Sequence, residues 1–329
     1  MTANELHRRI KEDIFAGVYT GQLPSIAGFI RKYSVSHNTV KKVLDRLKME
    51  NLIYGQKGKG CFIKTEGISD PSRTLVVYTA LSSFQNCFYT ALLTELKQLL
   101  ESAGFALKVR TVLTSPEHKF LACAFIGNIL EVENIPAFFK ENPPDYAFWI
   151  NRYLPDFLTV CNDNILGAEL ALNALYRLGH RHIGVLSCDV TGFDAGNFFY
   201  HRKKGVEKFC QEHPDLTVAE IETVSNCRKA DDFIAKFRAA DPEITGIFCF
   251  TDMLALLIAP ASGNISVVGY DNRDFAALMT PALTTVAEDH TAMAEALFDM
   301  VQRMSRGKRV ESVVIPPYLV ERESIFPAG

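Results

Sequence analysis

Over residues 5–16 the apolar positions Leu6, Ile10, Ile14 and Phe15 recur at helical spacing with charges between them, which predicts an amphipathic helix. Gly17 and Gly21 end it. Pro24 and Ser25 suit a helix entrance, where a serine hydroxyl caps free amides, and predict a short second helix over 26–32. Tyr33, Ser34 and Val35 make a turn, and Ser36 caps a third helix running to about 51. There Val40, Val43, Leu44 and Leu47 form the inward stripe, leaving His37, Asn38, Lys41, Lys42, Asp45 and Lys48 outward. Two short apolar runs, 52–54 and 61–63, then flank the Gly- and Lys-rich stretch 55–60, the pattern of a hairpin.

Residues 64–73 are polar, contain Gly and Pro and show no apolar period, so 65–73 reads as a linker. Beyond it, strand-like runs at 75–78, 106–112, 146–150, 158–160, 183–186, 244–250, 266–270 and 313–315 alternate with helical patterns at 88–103, 168–178, 203–212 and 291–306. This rhythm predicts an α/β fold with mostly parallel sheets. No short-period repeat or low-complexity segment interrupts it.

With 329 residues, 48% of them apolar, the chain has room for two or three domains. No apolar run approaches the roughly 20 residues of a membrane helix, and the first residues hold no apolar signal core, so a cytoplasmic protein without a membrane partner is expected. Eight cysteines stand singly and read as reduced thiols, with Cys249 in the core. The net charge of −3 hides an asymmetry: residues 1–64 carry 12 Lys and Arg against 5 Asp and Glu, a balance of +7. A basic head on an acidic body points to a polyanionic partner for the head.

Three helices followed by a hairpin is the order of a winged helix-turn-helix. A helix that enters the major groove needs polar side chains on one face and an apolar attachment on the other. Ser36, His37, Asn38 and Thr39 sit at the start of the third helix, and Lys41 and Lys42 one turn on. Lys57 and Lys59 in the hairpin suit a phosphate backbone. Enzyme signatures are missing: there is no phosphate-binding P-loop, no GxSxG elbow, no HExxH pair, and no GxGxxG after a strand. No catalytic residue, cofactor or metal is expected. His180 and His182 fall at a helix–strand junction and read as structural.

The run Leu23-Pro24-Ser25, the stretch from Val35 to Leu44, and Gly58-Lys59-Gly60-Cys61-Phe62-Ile63 together resemble the DNA-binding head of GntR-type regulators. The resemblance adds Ser25 and Gly60 to the expected DNA contacts. It departs at Ala27, where the family often has arginine. Further on, Val160-Cys161-Asn162-Asp163-Asn164 with Gly167, then Leu178-Gly179-His180-Arg181, Arg202-Lys203-Lys204-Gly205, Thr251-Asp252, Gly269-Tyr270-Asp271-Asn272 and Pro281 to Val286 resemble the sensor domain of LacI/GalR-type repressors. A GntR-type head on such a body is similar to the arabinose-repressor subgroup.

This resemblance implies a DNA-binding domain at 1–64 and a periplasmic-binding-protein-like sensor at 74–329. Its two α/β subdomains would comprise about 74–160 with 288–318, and about 163–285 with 320–329. Three chain crossings near 159–164, 285–288 and 318–321 would join them, with an effector in the cleft. Asp271, Thr251 and Asp252 follow predicted strands, and ligands bind outside the carboxyl ends of parallel strands. Arg202 matches the family's ligand-gripping arginine, and Phe88 and Tyr89 its loop aromatics. Phe84, Asn86, Phe198, Phe199 and Tyr200 are further candidates for the lining. Phe88 fits the core equally well, Asp252 fits a helix cap, and Asp163, Asn164 and Gly167 fit a structural role at the crossing. Thr251 stands where the family usually has asparagine.

The expected function is therefore a homodimeric, sequence-specific regulator that binds double-stranded operator DNA. It would repress carbohydrate-use genes and be released by a sugar-like effector. The rivals are a solute-binding protein of a transport system, a sugar-processing enzyme, and a regulator whose cleft is vestigial or docks a protein.

Overall fold

The computed structural model describes all residues except 16–17, 20, 51, 64–69, 81–86, 114–115, 117–118, 128–131, 189–195 and 224–232. The chain forms two compact units, residues 1–74 with 104–106, and residues 75–103 with 107–329.

In the first unit, helices α1 (Ala3–Phe15), α2 (Ile26–Tyr33) and α3 (His37–Met49) precede an antiparallel hairpin, β1 (Ile53–Gln56) and β2 (Gly60–Ile63). Gln22 bridges to Phe62 and adds a third short edge. Ser25 and Ser36 cap α2 and α3, their hydroxyls accepting from the Gly28 amide at 3.2 Å and the Thr39 amide at 3.1 Å. The turn between the helices passes through Ser34 at φ 52°. The inward stripe is fully buried, Val40, Val43, Leu44 and Leu47 packing with Leu6, Ile10 and Phe29. Glu50, at the end of α3, ties α1 to it through Lys11 at 3.0 Å and His7 at 2.9 Å.

The second unit holds two six-stranded sheets. The first is built from β3 (Thr74–Tyr78), β4 (Ala106–Arg110), β5 (Ala122–Ile126), β6 (Tyr146–Ile150) and β7 (Leu158–Asn162). Helices α4 (Cys87–Ser102) and α5 (Ile135–Phe138) lie along this part of the chain. Then comes the run α6 (Asn164–Arg177), β8 (His182–Cys188), α7 (Phe198–Glu212), β9 (Thr217–Thr223), α8 (Phe233–Ala240), β10 (Gly246–Cys249), α9 (Asp252–Ser262), β11 (Ser266–Tyr270) and β12 (Thr284–Ala287). The chain returns to the first sheet with α10 (His290–Ser305) and β13 (Val313–Ile315), and ends with β14 (Tyr318–Val320).

The strand orders are β13-β7-β6-β5-β3-β4 and β14-β12-β11-β10-β8-β9. The recorded pairings are parallel except β12 with β14. The chain thus passes between sheets three times: after β7, after β12, and at Pro316–Pro317. The last passage lies earlier than the expected 318–321, because Tyr318 already pairs with Ala287 in the second sheet. Two prolines lack the N–H groups a ladder needs, so strand pairing breaks there.

Close packing fixes the second subdomain. A Cβ on Gly205 of α7 would run into the Ile165 carbonyl and Ala168 of α6, and one on Gly167 would strike the Tyr270 ring. Only hydrogen fits at either position.

Candidate functional site

Two groups of side chains stand out, one in each unit. In the first unit His37, Asn38, Lys41 and Lys42 are exposed at the start of α3, and Lys57, Lys59 and Gly60 are exposed in the hairpin. Thr39 is half-buried and its hydroxyl lies 2.8 Å from that of Ser36. Ser25, His37, Lys41, Lys48, Lys59 and Gly60 share one hollow of about 400 Å³ with Gln22, Leu23, Pro24, Ile26, Leu44, Asp45 and Cys61. The fold thus brings together residues 25, 37, 41, 59 and 60 from three elements. Asn38, Lys42 and Lys57 are not among its lining. Gln22 fixes the hairpin tip, its amide donating to the Lys59 carbonyl at 2.5 Å.

In the second unit the polar side chains gather where strands of both sheets end. Arg202 of α7 is 1% exposed. Its Nε–H donates to Asn164 Oδ1 at 2.8 Å, and an Nη1 hydrogen goes to the Phe250 carbonyl. The guanidinium lies 3.4 Å from the centroid of the Tyr270 ring and just over 5 Å from Phe198 and Phe199. Two carboxylates face it more loosely: Asp271 Oδ1 is 3.4 Å from Nη1, and Glu288 Oε1 is 3.6 Å from Nη2. Arg273 approaches the other Asp271 oxygen at 3.7 Å.

Asp271 follows β11 with φ 106°, a left-handed conformation that costs a non-glycine residue about 1–3 kcal/mol. It is pinned by its N–H to the Val286 carbonyl at 2.9 Å, and the next amide, Asn272, donates to the Thr285 hydroxyl at 3.3 Å. Burial pushes the Asp271 carboxyl above its ordinary range, with Arg202 pulling the other way. Burial likewise pushes Glu288 up to about 7, opposed by Arg202 and assisted by Asp271.

The other expected positions divide. Thr251 caps α9, its hydroxyl accepting from the Leu254 amide at 3.2 Å. Asp252 is fully buried, one oxygen accepting from the Thr285 hydroxyl at 2.6 Å and the other from the Arg273 amide at 2.6 Å. Both oxygens serve the protein, and burial with the Asp271 charge lifts the carboxyl to about 7. Asp252 therefore holds the loop that carries Asp271. The cap expected of Asp252 is supplied by its neighbour Thr251.

Tyr89 lies near the cluster: burial, with the Glu288 and Asp271 charges beside it, pushes its hydroxyl above the usual range, while the Asn151 side chain pulls the other way. Phe88 is 7% exposed and packs edge-on against Tyr89 and His290, so it belongs to the packing. Phe84 and Asn86 lie outside the described residues.

Sequence reasoning missed four contributors. Glu288 directly follows β12 and Asn151 directly follows β6, so the strand-end rule that found Asp271 also points to them. Asn162 is the last residue of β7 and lies in the stretch 160–164 quoted for the resemblance, so only Tyr153 carries no such signal. Tyr153 binds the Asn162 carbonyl, accepts from the Asn164 amide at 3.1 Å, and stacks on His201 with ring centroids 3.6 Å apart. It thereby joins the end of the first sheet to the helix that carries Arg202. Asn162 donates to Asn151 Oδ1 from both its amides, at 3.0 and 3.1 Å, which locks two strand ends together.

Two family models match this chain, one in each unit. Residues 2–63 match the model for bacterial regulatory proteins of the gntR family, and residues 172–325 match the periplasmic binding protein-like domain. The arabinose metabolism transcriptional repressor of Geobacillus stearothermophilus is 21% identical over 365 aligned positions, covering 96% of each chain. A periplasmic binding protein/LacI transcriptional regulator from Alkaliphilus metalliredigens QYMF, solved with D-xylulofuranose, superposes with a TM-score of 0.59 at 18% identity, over 77% of this chain and 98% of that one. The regulator CelR in complex with cellobiose superposes with a TM-score of 0.61 at 17% identity, over 89% of this chain and 92% of that one.

Proposed function

Because the chain joins a gntR-family head to a periplasmic binding protein-like body, we propose that it is a ligand-responsive DNA-binding regulator of carbohydrate metabolism, a repressor released by a sugar. In this reading residues 1–64 bind operator DNA, 65–73 link, and 74–329 sense the effector. No helix among the described residues is long and apolar enough to cross a membrane. The protein works in the cytoplasm as a homodimer that presents two heads to a two-fold operator, without enzymatic activity.

The observation that carries the reading is the shared hollow of the head, where the start of α3, the cap of α2 and the hairpin tip expose His37, Lys41, Ser25 and Lys59 on one side. The amino end of a capped helix favours phosphate oxygens, and the adjacent side chains reach base edges. In the body, Arg202, Asp271 and Tyr89 meet the effector, while Thr251 and Asp252 hold the loops in place. The names of the similar proteins support a sugar as that effector. Binding would change the closure of the two subdomains and alter DNA affinity through a coupling of about 1–3 kcal/mol.

The test is retention of duplex DNA by the full chain at several salt concentrations. Reversing Lys41 and Lys42 to Glu is expected to weaken retention at least tenfold on any sequence and to flatten the salt dependence by about one unit of slope per residue. Unchanged retention by the folded variant overturns the head assignment.

A further inference from the structure

Tyr153 ties the two subdomains of the body together through protein groups alone. It stands in the loop 151–157 after β6, and that loop is fastened to the first subdomain along its length. The Asn151 amide donates to the Val160 carbonyl at 2.8 Å, and the Cys161 thiol donates to the Arg152 carbonyl at 3.1 Å. Further on, Leu154 and Phe157 pack on the core of the first sheet, around Tyr78, Phe125 and Trp149. Tyr153 thus projects from a fixed support.

What it meets belongs to the second subdomain. Its N–H donates to the Gly196 carbonyl at 3.0 Å, just ahead of α7. Its ring lies on the His201 imidazole in the first turn of that helix, with the centroids 3.6 Å apart and the planes at 26°. Its hydroxyl donates to the Asn162 carbonyl and accepts from the Asn164 amide at 3.1 Å, so it holds both neighbours of Asp163 at the first passage between the sheets. The Asn164 amide opens α6, and the first N–H groups of a helix have no partner inside it. Burial pushes the Tyr153 hydroxyl up to about 12, with Asn164 pulling the other way, so at neutral pH it keeps the proton it donates. Turning the subdomains apart about that passage separates the ring from His201 and breaks the bond to Gly196. Neither contact involves Arg202, Asp271 or Glu288.

We infer that Tyr153 is a positioning residue that latches the two subdomains together and so sets how far the body is closed before an effector acts on it. The latch belongs to the body itself, whereas its part in signalling rests on the sensor reading proposed above. An effector shifts an equilibrium from wherever the protein's own contacts have set it.

The experiment is amide exchange of the full chain, read at single residues, in wild type, Tyr153→Phe and His201→Ala. The first variant removes the hydroxyl and keeps the ring; the second removes the partner of the ring from the opposite subdomain. Exchange at the residue 153 amide is expected to quicken about fivefold or more in His201→Ala, and at the Asn164 amide by as much in Tyr153→Phe, while Phe148 and Val185, inside the two sheets, change less than about twofold. Either variant decides the matter should the other fail to fold. Quickening shared equally by Phe148 and Val185 is a general loss of stability and overturns the latch, and so does no quickening at all. Duplex retention without added sugar is expected to differ from wild type about threefold or more in the same variants. Localised quickening with unchanged retention overturns the part of the latch in signalling and leaves the head assignment standing. A wild-type chain that retains no DNA overturns the regulator reading, while the exchange result still decides the latch.

Discussion

The two units solve the problem of presenting polar groups in opposite ways. The head keeps its apolar stripe wholly inside and leaves its working side chains in solvent, on elements that are neighbours along the chain. The body buries its working side chains, and Arg202, Phe250, Asp271 and Glu288 meet only because separate strands end together. Exposed charges interact weakly at short range but attract a polyanion from a distance. Buried charges need designed partners and in return discriminate between ligands. The arrangement in each unit fits the partner proposed for it.

The contrast can be broken most severely at Arg202. Replacing it with Ala strands two buried carboxylates, and loss of one partner in such a cluster costs about 3–5 kcal/mol. The lone tryptophan, Trp149, is fully buried in the first sheet, so its fluorescence follows the body during denaturation. Its unfolding midpoint is expected to fall steeply, and an unchanged midpoint would show that the cluster is not coupled to stability.

A second, smaller effect concerns pH. Asp252 and Glu288 have folded-state values near 7, raised from the usual carboxylate range by burial. A raised carboxyl binds its proton more tightly when folded, so its contribution is fully present below the unfolded value and is lost as pH rises through the folded one. The Trp149-monitored melting temperature is therefore expected to fall between about pH 5 and pH 8, and less so in a Asp252→Asn, Glu288→Gln double variant. A profile that rises over that window, or one identical in the double variant, contradicts the assignment. The smallest effect belongs to the head: Ser36→Ala removes the α3 cap at a cost of about 1 kcal/mol. Amide exchange across α3 should then quicken about fivefold, while the Trp149 transition stays in place.

Much of the head was legible from spacing alone. Ser25 and Ser36 cap the helices that their positions predict, and the expected stripe is the buried one. The same was true of body strands whose apolar run is continuous: 146–150 and 266–270 match β6 and β11 residue for residue. What escaped obeyed weaker signals. β9 reads Thr-Val-Ala-Glu-Ile-Glu-Thr, an edge strand whose polar positions dilute its pattern, and α8 follows it closely. Helices α6 and α7 begin at Asn164 and Phe198, before the expected starts at 168 and 203, because Asp163 and Asn197 cap them. That early start puts Arg202 within a helix and Asn164 beside it. The candidate site was legible where strand ends betray it, as at Asp271, and where the resemblance points, as at Arg202 and Tyr89. Tyr153 and the Asn151–Asn162 lock depend on folds of chain that no local spacing encodes.

The passages between the sheets also bear on how the protein is made. The first sheet lacks β13 and the support of α10 until residues 290–315 emerge, although β7 is finished at residue 162. At about 5–20 residues per second a ribosome takes on the order of ten seconds to supply them. During that interval the unpaired flank of β7 is open to other nascent chains, so rapid translation or chaperone shielding should raise the yield of this protein more than that of a fragment ending at the hairpin.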